Sequence, residues 1–314
     1  METDNLNQTS GDAITTANES RFNTAHYSEP LTAFTVGWSD PEGLDGLLDF
    51  IAPRVSVGRR FEFKRATNAE AFYSETDDVR AIGSAFKRVE YSGESVQAKT
   101  INKGLTMRVD HDEVYGGDWQ ERYTQLLLQR LLRNELRRAI TALDSAAGSP
   151  VAKVWGSSGT PDADVRAALI DATDISGIRP NRLLFGEGAW DLRASSYEAQ
   201  DTAGAFGSLP LEPESLARKL LVQGVRIAGA RYQSTASVKE GIVDNAVYAF
   251  FEQDGVTKDE PSNLKRFVTP IEGGGSYRVY LEESAKYTDL TVEHYSTVVA
   301  TSDLGVKKLT VRAS

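Results

Sequence analysis

Between residues 59 and 109 apolar and polar positions alternate with period two, in "RFEFKRA", "SAFKRVEY", "ESVQAKTI" and "GLTMRVD". That is the mark of strands with two unlike faces. The polar stretches "YSETDD" and "YSGES" separate them as turns, so the pattern predicts a long β-hairpin or a pair of them. A two-stranded ribbon is marginal alone in water and needs a surface to lie against. The period then changes. In "GDWQERYTQLLLQRLLRNELRRAITALDSAAGS", residues 117–149, Leu128, Leu132, Leu136, Ala139 and Leu143 fall on one helical face, with Arg130, Arg133 and Arg137 opposite. Asp118 with Glu121 three residues on has capping-box spacing, and Gly148 supplies the stop. Roughly thirty helical residues span about 45 Å.

Elsewhere the pattern is shorter-ranged. Residues 1–30 are polar and acidic, a composition that cannot order itself. "LTAFTVGW" predicts an extended piece and "GLLDFIAPRV" a short helix. Residues 150–160 read as a linker, after which Thr160-Pro161-Asp162 opens a helix as cap, N1 proline and acidic first turn. A compact α+β stretch follows over 161–262, with strands "NRLLF", "VRIAGARY" and "NAVYAFF" and helices "EGAWDLRASSYEA" and "ESLARKLL". "RFVTPIEGGGSYRVYLE" reads as a hairpin turned at Gly273-Gly274-Gly275, and the chain ends in further strands.

Composition narrows the function. At 314 residues with 40% hydrophobic and 25% charged residues, the chain can bury a substantial core. It contains no cysteine, which excludes disulfides and thiolate chemistry. No run approaches a membrane span, and the N-terminus lacks a signal peptide's basic start and apolar core, so an intracellular protein without a membrane partner is expected. The net charge of −10 argues against a sequence-independent nucleic-acid binder, which draws its affinity from clustered Lys and Arg.

Three constellations carry candidate chemistry. Arg182–Phe185 runs into Gly186-Glu187-Gly188 and a helix, the order in which a phosphate-cradling loop begins. A dinucleotide fingerprint would place its third glycine where Asp191 stands, and no Gly-Lys-Ser/Thr end exists, so steric permission for a tight bend is the favoured reading. Asp110, His111, Asp112 and Glu113 have metal-ligand character, but strand neighbours point to opposite faces. A strand end feeding the start of the long helix explains them better. The three histidines, His26, His111 and His294, find no nucleophile motif to serve, and His294 reads as a structural polar residue in "LTVEHY". No catalytic residue, metal or cofactor is therefore expected. The arginine face is read as meeting acidic partners across an interface.

The order of segments resembles the major capsid protein of tailed bacteriophages, the Hong Kong 97-like capsid fold, an α+β fold. "AFKRVEYSGESVQAKTINKGLTMRVDHDEV" leads into "RYTQLLLQRLLRNELRRAITALDSAA", followed by "GIRPNRLLFGEGAWDLRASS", "GIVDNAVYAFF" and "KYTDLTVEHYSTVVATSDLGVKKLTV". The resemblance implies a flexible arm (1–30), a connection (31–58) and an extended ribbon or E-loop (59–109). A peripheral domain (110–160) with spine helix 118–147, an axial domain (161–262) and return strands (263–314) follow. It implies a subunit that assembles with itself into hexamers and pentamers of an icosahedral virion shell, built in the host cytoplasm. Such a shell encloses double-stranded DNA without sequence-specific binding, and a separate scaffolding protein and a portal are the expected partners. Phe86, Arg88 and Tyr91 of the ribbon and Arg130, Arg133 and Arg137 of the helix are the candidate intersubunit contacts. An encapsulin-like compartment is the alternative, and a small-molecule enzyme using the Gly186–Gly188 turn is the reading from another class.

Overall fold

The structure is a computed structural model that describes residues 26–65, 82–85, 94–114, 116–200, 212–253, 257–258, 260, 262–271 and 275–314. In chain order these hold β1 (His26–Tyr27), α1 (Glu29–Gly37), α2 (Leu44–Ile51), β2 (Arg54–Ser56), β3 (Arg60–Arg65), β4 (Glu94–Lys99), β5 (Ile101–Asp110) and α3 (Trp119–Ala147). Then come β6 (Val151–Val154), α4 (Pro161–Ser176), β7 (Arg182–Gly186), α5 (Glu187–Glu198), α6 (Pro213–Leu220), β8 (Gly224–Ala228), β9 (Arg231–Gln233) and β10 (Lys239–Gly241). β11 (Ala246–Phe250), β12 (Leu264–Val268), β13 (Tyr277–Glu283), β14 (Tyr287–Ala300) and β15 (Lys307–Arg312) complete a mixed α+β fold.

Two compact units share these elements. The first gathers Met1–Asp40, Ile101–Leu131 and Thr269–Tyr295. Here β1 pairs with β13, β13 runs antiparallel to residues 288–294 of β14, and β5 also pairs with β14. The sheet closes over Leu31, Leu127, Leu128 and Leu131, with Val279, Leu290 and Val292 supplying its apolar side. Two sequence expectations change here. His26–Tyr27 and the start of α1 lie inside the stretch read as a loose arm, because β1 adds to the edge of β13. The extended piece expected at "LTAFTVGW" is helical: Ser28 caps α1, accepting from the Leu31 amide at 3.4 Å, and Pro30 sits in its first turn. That short cap signal outweighs the β-branched composition.

The second unit gathers Pro41–Thr100, Leu132–Val268 and Ser296–Ser314. Its five-stranded sheet has the order β6-β15-β11-β7-β8, with antiparallel pairings around β11 and parallel ones at β6 and β8. Val165 and Leu169 of α4, Ala189 of α5 and Leu216 and Leu220 of α6 pack on Leu183, Phe185, Val247 and Leu309 of this sheet. The linker expected at 150–160 is therefore strand β6, in register with β15, leading to the buried Trp155. Four residues are too few for alternation to announce a strand.

Of the stretch read as the ribbon, residues 66–81 and 86–93, with most of "SAFKRVEY", lie outside the described residues. β3 and β4 pair antiparallel from Arg60↔Lys99 to Arg65↔Glu94, and β5 leaves at Thr100 for the other unit's sheet. Gly104 explains the departure: a Cβ there would meet the Val292 carbonyl oxygen at 2.9 Å, so only glycine lets β5 close on β14. Nor is the ribbon's base without a partner in its own chain. Phe61 and Phe63 stack on Phe267, at centroid distances of 4.4 and 5.5 Å, beside Val96, Ala98 and Val299. β12 and β13 do not form the expected hairpin. Both run antiparallel to β14, β12 along residues 296–300 and β13 along 288–294. Residues 272–274 of the expected turn lie outside the described residues.

α3 matches its pattern closely. Leu128, Leu132, Leu136, Ala139 and Leu143 are all buried, and the helix stops at Ala147, ahead of Gly148. At the other end Asp118 gives its carbonyl to the Arg122 amide at 3.2 Å.

Phe267 carries the ribbon's only described apolar platform of aromatic rings, so Phe267→Ala is expected to lower stability by about 3–5 kcal/mol. Thermal unfolding of the purified subunit measures it, and an unchanged melting temperature would show that the ribbon base is not packed there.

Candidate functional site

The strand-to-helix turn comes first, because its sequence looks most like a ligand site. β7 is buried at every position and passes directly into α5 at Glu187. A Cβ on Gly186 would collide with the Asp244 carbonyl oxygen and meet that of Val243 at 2.9 Å; one on Gly188 would run into Oδ1 of Asn245. Both glycines exist so that the segment before β11 can cross the turn. The turn is thus faced closely by the protein's own backbone and an amide side chain, with Glu187 between the two glycines.

The run Asp110–Glu113 ends β5 and forms a single 3₁₀ turn, exposed throughout. Asp110 Oδ1 accepts from the Asp112 amide at 2.9 Å. His111 Nε2 lies 2.8 Å from Thr288 Oγ1, and its amide donates to the Lys286 carbonyl. Among the described residues no three His, Cys, Asp or Glu side chains group as metal ligands. His294 is buried and stacks on Tyr277 at 5.0 Å, a packed position in β14. His26 lies in β1, exposed at the sheet edge.

Titratable groups with displaced pKa values hold the second unit together. Asp162, in the first turn of α4, binds Arg193 Nε at 2.7 Å and Lys219 Nζ at 2.9 Å, and Arg193 itself is only 1% exposed. Burial alone would raise the Asp162 carboxyl; its bonds to Arg193 and Lys219 outweigh this and hold it below the usual carboxylate value. Asp144 of α3 is handled the same way. Burial opposes its charge, while Lys308 and the Tyr248 hydroxyl, at 2.7 Å, draw its pKa down. This pair lines a polar cleft of about 650 Å³ beside Thr141, Lys239 and Asn245. Glu252 is the opposite case. Fully buried, it is pushed well above its usual value by burial, although one oxygen accepts from the Leu264 amide at 2.8 Å.

The expected contact residues divide. Phe86, Arg88 and Tyr91 lie outside the described residues. Arg133 meets an acid of its own chain, Glu42, at 2.5 Å, and Arg137 covers the Tyr232 ring at 4.0 Å. Arg130 is exposed, with no partner among the described residues. Sequence reasoning passed over a groove lined by the exposed Arg218 and Arg226 and the buried Arg182. They come from one helix and two strands and converge only in the fold.

No family model and no curated protein matches this sequence. Solved structures do. A phage-related protein from Bordetella bronchiseptica RB50 is similar at 17% identity and TM-score 0.66, over 92% of this chain and 98% of that one. A protein of Mycobacterium phage Adephagia is similar at 12% identity and TM-score 0.52, over 85% and 90% of the two chains. The mature capsid of bacteriophage PhiM1 is similar at 13% identity and TM-score 0.50, over 85% and 87%. The chain thus has the fold of a phage capsid subunit along most of its length.

Two substitutions test the electrostatics. Asp162→Asn removes the carboxylate that meets a buried guanidinium and is expected to cost about 3–5 kcal/mol at pH 7. A lowered folded pKa means that the stabilisation is present above the usual carboxylate value and lost as pH falls through the lowered one, so the gap to wild type should close in acid. Glu252→Gln should behave in the opposite sense. A raised folded pKa makes the wild type lose stability as pH rises above about 4.5, so the variant should match it near pH 4 and exceed it progressively at higher pH. Melting curves across pH check both, and a Glu252→Gln difference independent of pH would show that the buried group does not titrate as described.

Proposed function

We propose that this chain is the major capsid protein of a tailed phage, a structural subunit that assembles with itself into hexamers and pentamers of an icosahedral shell around double-stranded DNA. The observation that carries the reading is the fold likeness to the PhiM1 mature capsid over most of both chains. On this reading β3, β4 and the residues between them form the extended loop, α3 is the spine helix of the peripheral domain, and the region from α4 to β11 is the axial domain. The return strands are β12 to β15. Arg130 remains a candidate contact to a neighbouring subunit, as do Phe86, Arg88 and Tyr91. Arg133 and Arg137, held by Glu42 and Tyr232, would act by fixing the surface around them.

Several properties agree with a container's role. The displaced carboxyls at Asp144, Asp162 and Glu252 are explained by ion pairs and packing that secure the fold. A net charge of −10 disfavours tight wrapping of DNA by the wall, as suits a genome that must move in and out. A scaffolding protein and a portal, supplied separately, would set shell size and provide the DNA entrance, and assembly would take place in the host cytoplasm.

The register of the ribbon makes its role testable. Arg65 faces Glu94, so residues 66–93 can be replaced by Asn-Gly, a two-residue turn that keeps the Phe61 and Phe63 platform. The expected outcome is a subunit with wild-type helicity and melting temperature that forms no shells in negative-stain images, whereas the full chain, alone or with its scaffolding protein, does. Intact shells from the shortened chain would overturn the ribbon's role, and a full chain that stays at about 34 kDa under every condition would overturn the capsid reading.

A further inference from the structure

Helix α4 has two unlike faces. Val165 and Leu169 pack on the five-stranded sheet, and Ala172 on the same side is buried. The opposite side carries Ala163, Ala167, Ile170, Asp174 and Gly177, whose spacing alternates between four and three residues. That alternation is the seam of two packed helices. Its apolar centre, Ile170, is 49% exposed, and the small residues beside it leave room for a close neighbour.

The charges of the helix decide what fits there. Asp162 is committed to Arg193 and Lys219, Asp164 to Lys153 at 2.9 Å, and Asp171 to Lys307 at 2.6 Å. Beyond the helix end two opposite charges offset each other. They are Arg179, which donates to the Leu220 carbonyl, and the exposed Asp303, near the Gly305 that abuts Ile178. Arg166 and Asp174 are left, both exposed and without a partner among the described residues. One stands four residues before Ile170 and the other four after it. About 12 Å of helix separates them, too far for them to meet each other.

A cation and an anion placed evenly about an apolar centre are complementary to the same face turned end for end. We propose that α4 packs antiparallel against α4 of a second copy, about a two-fold axis at Ile170. Ile170 then meets its counterpart, each Arg166 faces the other copy's Asp174, and Ala163 faces Gly177, where the backbones can approach. Such a contact is isologous, whereas contacts that close a ring are head-to-tail, so this one joins subunits of different rings. That role rests on the shell reading. A helix of 16 residues is about 24 Å long, and two of them bury less than the roughly 1,200 Å² of a stable pair. The contact gains its strength from repetition over a shell.

The chain has no cysteine, so an introduced thiol reports its own neighbour. Full-length Ile170→Cys, assembled and then oxidised, should give a disulfide-linked dimer on non-reducing gels. Arg166→Cys alone should not, and Arg166→Cys/Asp174→Cys should. Arg166→Asp should weaken association about tenfold in sedimentation velocity, and Arg166→Asp/Asp174→Arg should restore it, with circular dichroism and melting temperature unchanged in both. Wild-type shells with no crosslink from Ile170→Cys and no loss from Arg166→Asp would overturn this contact and leave the capsid reading standing. Loss in Arg166→Asp without recovery in the exchanged pair would overturn the antiparallel register. Should the full chain form no shells, the capsid reading falls, and the same crosslinks in the concentrated free subunit decide the contact: a dimer through Ile170→Cys upholds it, and no dimer overturns it.

Discussion

Lys265 and Arg266 sit side by side on β12, a five-residue strand in which every position is buried. A charge withdrawn from water without compensation costs several kcal/mol, so each cation has to be met by something specific. Lys265 donates to the carbonyls of Thr257 and Glu260, at 2.8 and 2.6 Å, and so pins the stretch before its own strand. Arg266 reaches Asp45 and Asp49, at 3.1 and 2.5 Å, and so draws in α2. Next to them on the strand is Phe267, on which the ribbon base rests. Backbone bonds on either side tie the strand to β14 and β2. A helix, a loop, a sheet and a ribbon are located by demands that one short strand makes.

The same logic accounts for Asn181 and Asn263. Asn263 accepts from the Phe251 amide and donates to the carbonyls of Ser302 and Leu304; Asn181 accepts from the Glu252 amide and donates to its carbonyl. Each satisfies backbone groups where a strand ends and no ladder partner remains. Buried polar atoms left without partners would cost as much as the bonds are worth, so such side chains work as splices between strands. Polar residues that a search for catalysis would flag are used here to finish the sheet.

The sequence by itself determined the elements whose signal is local. The leucine face and end of α3, the proline start of α4, β7 running into α5, and the phage-capsid likeness of the whole order were legible there, because periodicity and capping act over a few residues. It also sufficed to reject a nucleotide loop at Gly186, although only the fold shows that Asp244 and Asn245 are what the glycines make room for. Partners were beyond it. Alternation identified β5 as a strand but not that it pairs with β14 instead of the ribbon, and it could not tell that β12 and β13 share β14 rather than each other. The β8 groove was invisible, since Phe50, Arg182, Arg218 and Arg226 are far apart in the chain and none carries a motif. A strand's own residues fix its faces; which edge it meets depends on atoms contributed from elsewhere, and that is decided only when the chain is folded.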